Sequence, residues 1–388
     1  MKAKHVILYL LLAIVSSSCI REEALNAEAD ILSCALPGVA MTTSPIINNN
    51  SITIFVGPGT DISELTPEFT LTPGATINPL SGTERNFNTP QEYTVTAADG
   101  VWKKTYIISV IDTELATNYN FEDTLGGKKY YIFVEREGDK VVMEWASGNA
   151  GYAMTGVAKT ADDYPTFQIT DGKAGKCLSL VTRSTGFFGQ LAGMPIAAGN
   201  LFLGSFDVNN AVQKPLKATR FGLPFGKKPL QLKGYYKYTP GTQPFKAKDK
   251  NGNTVTIPGQ EDEGDIYAVL YEAAELDGKA LDGNNVLTSE NIVALARVEV
   301  EKKDEFTAFH VDFHYGSRIP IDWPKFIQDQ RDPSDDGTAP YLSFSEEKMK
   351  NYEYNLAVVF TSSKYGAYFA GSVGSTLCID KVEIVCEK

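Results

Sequence analysis

The sequence predicts an all-β protein built from two sandwich domains, and three observations carry that expectation. Short runs of alternating apolar and polar side chains recur along most of the chain, each bounded by Gly, Pro, Asn or Asp. Beyond the N-terminal apolar run, no long stretch carries helical periodicity. The 388 residues, with 33 Gly and 19 Pro, give enough chain for two or three domains, each burying its own core. Aromatics at 11% and charged residues at 22% mark a folded rather than a disordered protein. A net charge of −12 argues against nucleic acid or an anionic membrane surface as partner, because both reward Lys/Arg patches.

Residues 1–18 read as an export signal. Lys2 and Lys4 make a basic start, Val6 to Val15 an apolar centre, and Ser16, Ser17 and Ser18 lead into Cys19. The apolar run is too short to span a bilayer, which takes about 20 residues as a helix. Small residues followed directly by Cys resemble a lipoprotein cleavage site. The resemblance implies that Cys19 becomes the lipidated N-terminus and residues 19–30 a tether. Arg21, Glu22 and Glu23 resemble the charged tag that sends such lipoproteins to the outer face of the outer membrane. The expected location is therefore the cell outer membrane, facing outward, with the membrane touched only through the lipid anchor.

Residues 31–112 read as a small β-sandwich. Ile52, Ile54 and Val56 alternate with Thr53 and Phe55 ahead of Gly57-Pro58-Gly59. Tyr93, Val95 and Ala97 on one strand and Tyr106, Ile108 and Val110 on the next flank a tight turn at Asp99-Gly100. The run from Asn88 to Gly100 resembles the end of the Ig-like modules that precede binding domains in surface lipoproteins. A spacer role follows, with Trp102 as packing or edge cover.

Residues 113–388 read as one larger β-domain. Its closing stretch pairs a strand carrying Leu356, Val358 and Phe360 with one running from Leu377 to Cys386. Strict alternation places Asp380 on the pleat of Cys378, Val382 and Ile384, where a bare carboxylate is costly to desolvate. It must be hydrogen-bonded, paired or bound to a cation. Further strands are expected at Tyr130–Val134, Lys140–Trp145, Gln231–Tyr238, Ile266–Tyr271, Ile292–Val300 and Phe306–Tyr315, with a turn at Asn251-Gly252-Asn253 and loops over 276–291 and 329–341. Asp332, Asp335 and Asp336 lack the spacing of a calcium loop and read as solvated turn residues.

The closing stretch resembles that of the carbohydrate-binding-module jelly rolls, and Asn120-Phe121-Glu122 resembles the opening of their first strand. In those families this Glu and an Asp of the last strand hold a structural Ca²⁺; the matching positions are Glu122 and Asp380. A closer resemblance is to the putative carbohydrate metabolism domain (PCMD) lipoproteins of gut anaerobes. Its carriers are Trp145 to Tyr152, Ile196 to Phe206, Gly234 to Gly241, and Ser362 to Gly366 on through Asp380. These are separated motifs in one order. They imply a jelly-roll domain, an oligo- or polysaccharide ligand, and outer-membrane transport or degradation proteins as partners.

Sugars stack their C–H faces on aromatic rings while amides and carboxylates take the hydroxyls. Three clusters offer this: Trp145 with Asn149 and Tyr152; Tyr236 and Tyr238, opposite Tyr235; and Trp323 between Pro320 and Pro324, the best exposed platform. With 20 Phe, 19 Tyr and 3 Trp in the chain, most rings must nonetheless be core. His310, Asp312 and His314 share the polar face of one expected strand, about 6.6 Å apart in succession. They could bind Zn²⁺ or Ni²⁺, but surface or the rim of a groove suits them better. No Gly-x-Ser-x-Gly elbow or phosphate-binding loop is present. Pairs such as Glu122/Asp123 or Asp262/Glu263/Asp265 are unavoidable among 48 acids, so no catalytic residue is assigned. Cys378 and Cys386 on one strand stand about 26 Å apart and cannot pair; with Cys34 and Cys177 they are expected as buried thiols. The resulting expectation is glycan binding without cleavage. A glycoside hydrolase on the same domain is the main rival, and an adhesion or assembly subunit that binds protein is the third reading.

Overall fold

The computed structural model describes residues 26–273, 276, 280–332 and 337–388. The export signal, Cys19, the tag at Arg21 to Glu23, and Asp335 and Asp336 lie outside the described residues. The fold is all-β, in several sheets. Among the described residues no helix is long and apolar enough to cross a membrane.

In the N-terminal part, the strands Ser51–Phe55, Gln91–Thr96 and Lys103–Ile111 form the centre of a five-stranded sheet, with Ser51–Phe55 and Lys103–Ile111 parallel. Ile31–Ala35 pairs with Glu68–Leu71 as a second, two-stranded layer. Alternation does what the sequence promises: Ile52, Ile54, Tyr93, Val95, Tyr106 and Ile108 fill the core between the layers. The expected turn is there, with Gly100 at φ +71° and Asp99 Oδ1 accepting from the amides of Val101 and Trp102. Trp102 is 63% exposed and takes no part in that core.

Two large sheets build the rest. The first runs Thr166–Ile169, Cys177–Val181, Thr376–Cys386, Pro229–Thr239, Lys303–Asp312 in spatial order, and the second runs Asn200–Phe202, Tyr354–Thr361, Asp265–Glu272, Ile292–Val298, His314–Tyr315. Leu180, Leu232, Tyr236, Tyr238, Leu377 and Ile379 of the first face Ile266, Ala268, Leu270, Leu356, Val358 and Phe360 of the second across one core. Burying these aromatic and aliphatic side chains contributes roughly 1.5–3 kcal/mol each before the entropy of ordering is subtracted. The second sheet is covered on its other face too, where Tyr267, Val269, Tyr271, Leu295 and Val359 meet Phe221 and Leu281 of a small three-stranded sheet and Val286 and Tyr341 from the surrounding loops. Burial on both sides explains why Asp265–Glu272 and Tyr354–Thr361 read as nearly continuous apolar runs instead of alternating ones.

Two expectations change. The strand from Thr376 to Cys386 is single, but Lys381 sits at φ +52° and its register against Pro229–Thr239 slips there. This bulge flips the alternation: Leu377 and Ile379 before it and Val382 and Ile384 after it all face the core. Asp380 therefore does not share a pleat with Val382 and Ile384. The stretch expected as one strand over Phe306–Tyr315 is two, because the chain crosses between sheets at buried Phe313. His310 and Asp312 stay on the first sheet while His314 joins the second.

Candidate functional site

The loops over the outer face of the second sheet leave a cavity of about 350 Å³. Its floor is the sheet itself. Asn200 and Phe202, Val359 and Thr361, Asp265 and Tyr267, and Arg297 alternate inward along four neighbouring strands. Its walls come from Gly148, Gly151 and Tyr152, from Ala197, Ala198 and Phe206, and from Ser363, Lys364 and Gly366. Three of the four motifs that carry the PCMD resemblance thus converge on one space, although they are far apart in the chain.

At the floor Arg297 grips Asp265 through two bonds, Nε to Oδ1 at 3.0 Å and Nη2 to Oδ2 at 2.6 Å. Both side chains are largely withdrawn from water, at 17% and 3% exposure. Burial alone would lower the Arg297 pKa; the charge and hydrogen bonds of Asp265 outweigh it, so the guanidinium stays ionised. Beside them Ser363 Oγ donates to Asp262 Oδ2 at 2.6 Å, which also accepts from Ser375 Oγ and the Ser372 amide. Burial pushes the Asp262 carboxyl up to about 6 against the pull of those donors. In the wall, Arg331 lies over the Trp323 ring, 4.2 Å from its centroid.

The sequence-derived platforms divide sharply. Trp145 is core: it packs on Tyr119, Phe121 and Phe360, and its Nε1 donates to Glu135. Tyr236 and Tyr238 are core as well, since their face of the strand is the inner one. None of the three presents a ring to a sugar. Asn149 is fully buried and clamps the backbone of Thr166, donating to its carbonyl and accepting from its amide. Tyr152 lines the cavity, though its hydroxyl is committed to Ser184 O at 2.9 Å. Trp323 lines it too, half-buried instead of standing free, because loop clusters pack around it. Its proline-flanked loop was legible; the side chains that fold back over it were not. Asp265 stood only among the unavoidable acid pairs and Arg297 was not singled out, although a charge set into an otherwise apolar strand was the available signal.

Glu122 and Asp380 reach the same loop, Asp171 to Lys176. Asp380 accepts from the amides of Ala174 at 3.0 Å and Lys381 at 2.8 Å, and Glu122 accepts from the Lys176 amide. Burial raises the Asp380 pKa and the two amides oppose it. A Cβ at Gly172 would meet Gly175 O at 2.8 Å, Lys176 O at 2.9 Å and Asp380 Oδ2 at 3.0 Å. These three nearest atoms are all oxygens, the donor type that Ca²⁺ takes, and amides already donate to two of them, Gly172 to Gly175 O and Ala174 to Asp380 Oδ2. Among the described residues no cluster of three or more His, Cys, Asp or Glu side chains is placed for a metal. His310, Asp312 and His314 do not converge: Asp312 accepts from Gln231, and His314 Nε2 meets Ser317 Oγ. Cys34, Cys177, Cys378 and Cys386 are free, Cys386 half-buried and the others buried.

Comparison with known proteins places this architecture. Residues 31–110 match the family described as "SGBP, N-terminal". A Bacteroides thetaiotaomicron protein of known structure, described as a putative glycoside hydrolase, is 62% identical over 95% of this chain and 99% of its own, with a TM-score of 0.82. A Bacteroides vulgatus protein described in the same words is 37% identical over 71% of this chain and 99% of its own, with a TM-score of 0.57. No protein of curated function matches. Residues 120–385, nearly all of the two-sheet sandwich, match the family described as "Putative carbohydrate metabolism domain", and the chain belongs to that family.

Proposed function

We propose that this protein captures a glycan, without cleaving it, in the cavity on the outer face of the second sheet. The observation that carries the reading is the carboxylate inventory: among the described residues lining the cavity only Asp265 is an acid, and Arg297 holds both its oxygens. Glycoside hydrolysis by the usual routes takes two carboxylates flanking the bond, one of them free to give or take a proton. A glycan-related role is supported by both matched families. The N-terminal match supports a place on the cell surface, and we extend it to a lipid anchor at Cys19 and to transport or degradation partners beside it. We further assign a structural Ca²⁺ to Glu122 and Asp380 with nearby carbonyls, where its charge would tie the Asp171-to-Lys176 loop to the closing strand.

The hydrolase reading rests on the descriptions of the two structural relatives. A glycan array on the soluble protein, followed by a reducing-sugar assay on every glycan bound, separates the readings. Binding with no sugar release supports capture; release that disappears with Asp265→Asn would establish hydrolysis instead.

A further inference from the structure

We infer that the glycan this cavity selects carries an apolar substituent, an aryl or acyl ester, and that the substituent rather than the sugar ring fills its depth. The inference rests on the cavity being the glycan site and names the class of glycan. Most polar groups at the bottom are already spent on one another or on the backbone, the Tyr267 hydroxyl excepted. Asp265 and Arg297 satisfy each other. Asn200 accepts from the Gly148 amide and donates to Ala198 O, and Ser363 is held between Asp262 and Thr182. A sugar ring pushed to this depth would surrender its water and recover few hydrogen bonds, and each hydroxyl so stranded is penalised. An acyl or aryl group loses nothing there. Its surroundings are Phe202, Phe206, Phe221, Val286, Leu287 and Val359.

The mouth points the same way. The short helix Gly186–Leu191 stands at its edge with Phe187 74%, Phe188 72% and Leu191 76% exposed. Phe188 and Met154, the latter 58% exposed, both line the opening. The helix is held in this pose: Gly186 has φ +68°, and a Cβ at Gly189 would collide with the side chain of Thr185. Apolar rings fixed outward around an apolar hole are the signature of a site that desolvates on binding. The sugar portion then stays at the rim, within reach of Trp323, and the substituent passes between Phe188 and Met154.

The test uses matched polysaccharides carrying acetyl or feruloyl esters, each before and after mild alkaline de-esterification, with affinities for the full soluble protein measured by calorimetry. Esterified forms should bind at least about tenfold more tightly. Phe188→Asp, with Met154→Asp as a second variant, should abolish that difference by weakening the esterified form far more than the de-esterified one, with the melting temperature unchanged. Equal affinity for the two preparations overturns this inference and leaves glycan capture standing. Binding of neither overturns both. Ethyl ferulate alone binding as tightly as the feruloylated glycan also overturns it, since the sugar would then be irrelevant.

Discussion

Replacing Arg297 with methionine keeps the side chain's length and removes its charge. Asp265, only 3% exposed, would lose bonds of 3.0 and 2.6 Å together. Because water screens so little of this pair, removing one partner should cost about 3–5 kcal/mol: the stranded carboxylate must either stay uncompensated or take up a proton. At roughly 2–4 °C per kcal/mol for a domain of this size, the melting temperature should fall by about 6–20 °C. The double variant Asp265→Leu/Arg297→Met removes both charges together. Buried pairs replaced by apolar side chains are commonly neutral or better, so it should be more stable than either single variant. Urea and thermal melts of the wild type, both singles and the double at pH 7 decide the matter. Single variants within about 1 kcal/mol of wild type, or a double variant as unstable as the two losses added, would mean that the pair is solvated and the cavity floor wet.

Three further expectations concern other parts of the fold. Trp145→Ala should cost about 3–5 kcal/mol of stability, since the ring is core and its Nε1 partner Glu135 is left behind; Trp323→Ala should instead weaken glycan binding about tenfold with a small change in melting temperature. The reverse pattern, read by calorimetry and thermal melts, would return the binding site to the sandwich interior. Folded Asp262 holds its proton more tightly than the unfolded chain does, with a pKa of about 6 against 3.8. Its contribution to stability is therefore full below about pH 4 and lost as pH rises through about 6, by up to about 3 kcal/mol. Asp262→Asn should gain on wild type across that window in urea melts, and a constant difference would contradict it. Chelator should lower the melting temperature of the wild type and leave that of Asp380→Asn unchanged; identical wild-type melts with and without EDTA would count against the metal.

Much of the fold was legible because strands advertise themselves. Ile52, Ile54, Tyr93 and Val95 alternate cleanly and are buried as that alternation demands. In Asp265–Glu272 and Tyr354–Thr361 the apolar runs were equally visible, but their meaning, a sheet covered on both faces, depends on loops distant in the chain. What failed were features that break period two. The left-handed Lys381 shifts every later side chain of the closing strand to the opposite face, and a Lys at such a position gives no warning as Gly would. The crossing at Phe313 likewise separates three polar residues that an unbroken strand would align. The site was legible as segments, not as side chains. Three motifs led to the cavity, yet Trp145 within one of them is core and the Asp265–Arg297 pair lies outside all of them. Aromatic type identifies a ring, whereas exposure is set by tertiary packing.

The most direct measurement is the position of a bound oligosaccharide in a crystal of the complex, using whichever glycan the array selects. The structure predicts sugar density at the mouth of the cavity, against Trp323, with Asp265 still gripped by Arg297. Density on the outer face of the first sheet instead, over Tyr235, His310 and Asp312, with the cavity empty, would contradict it.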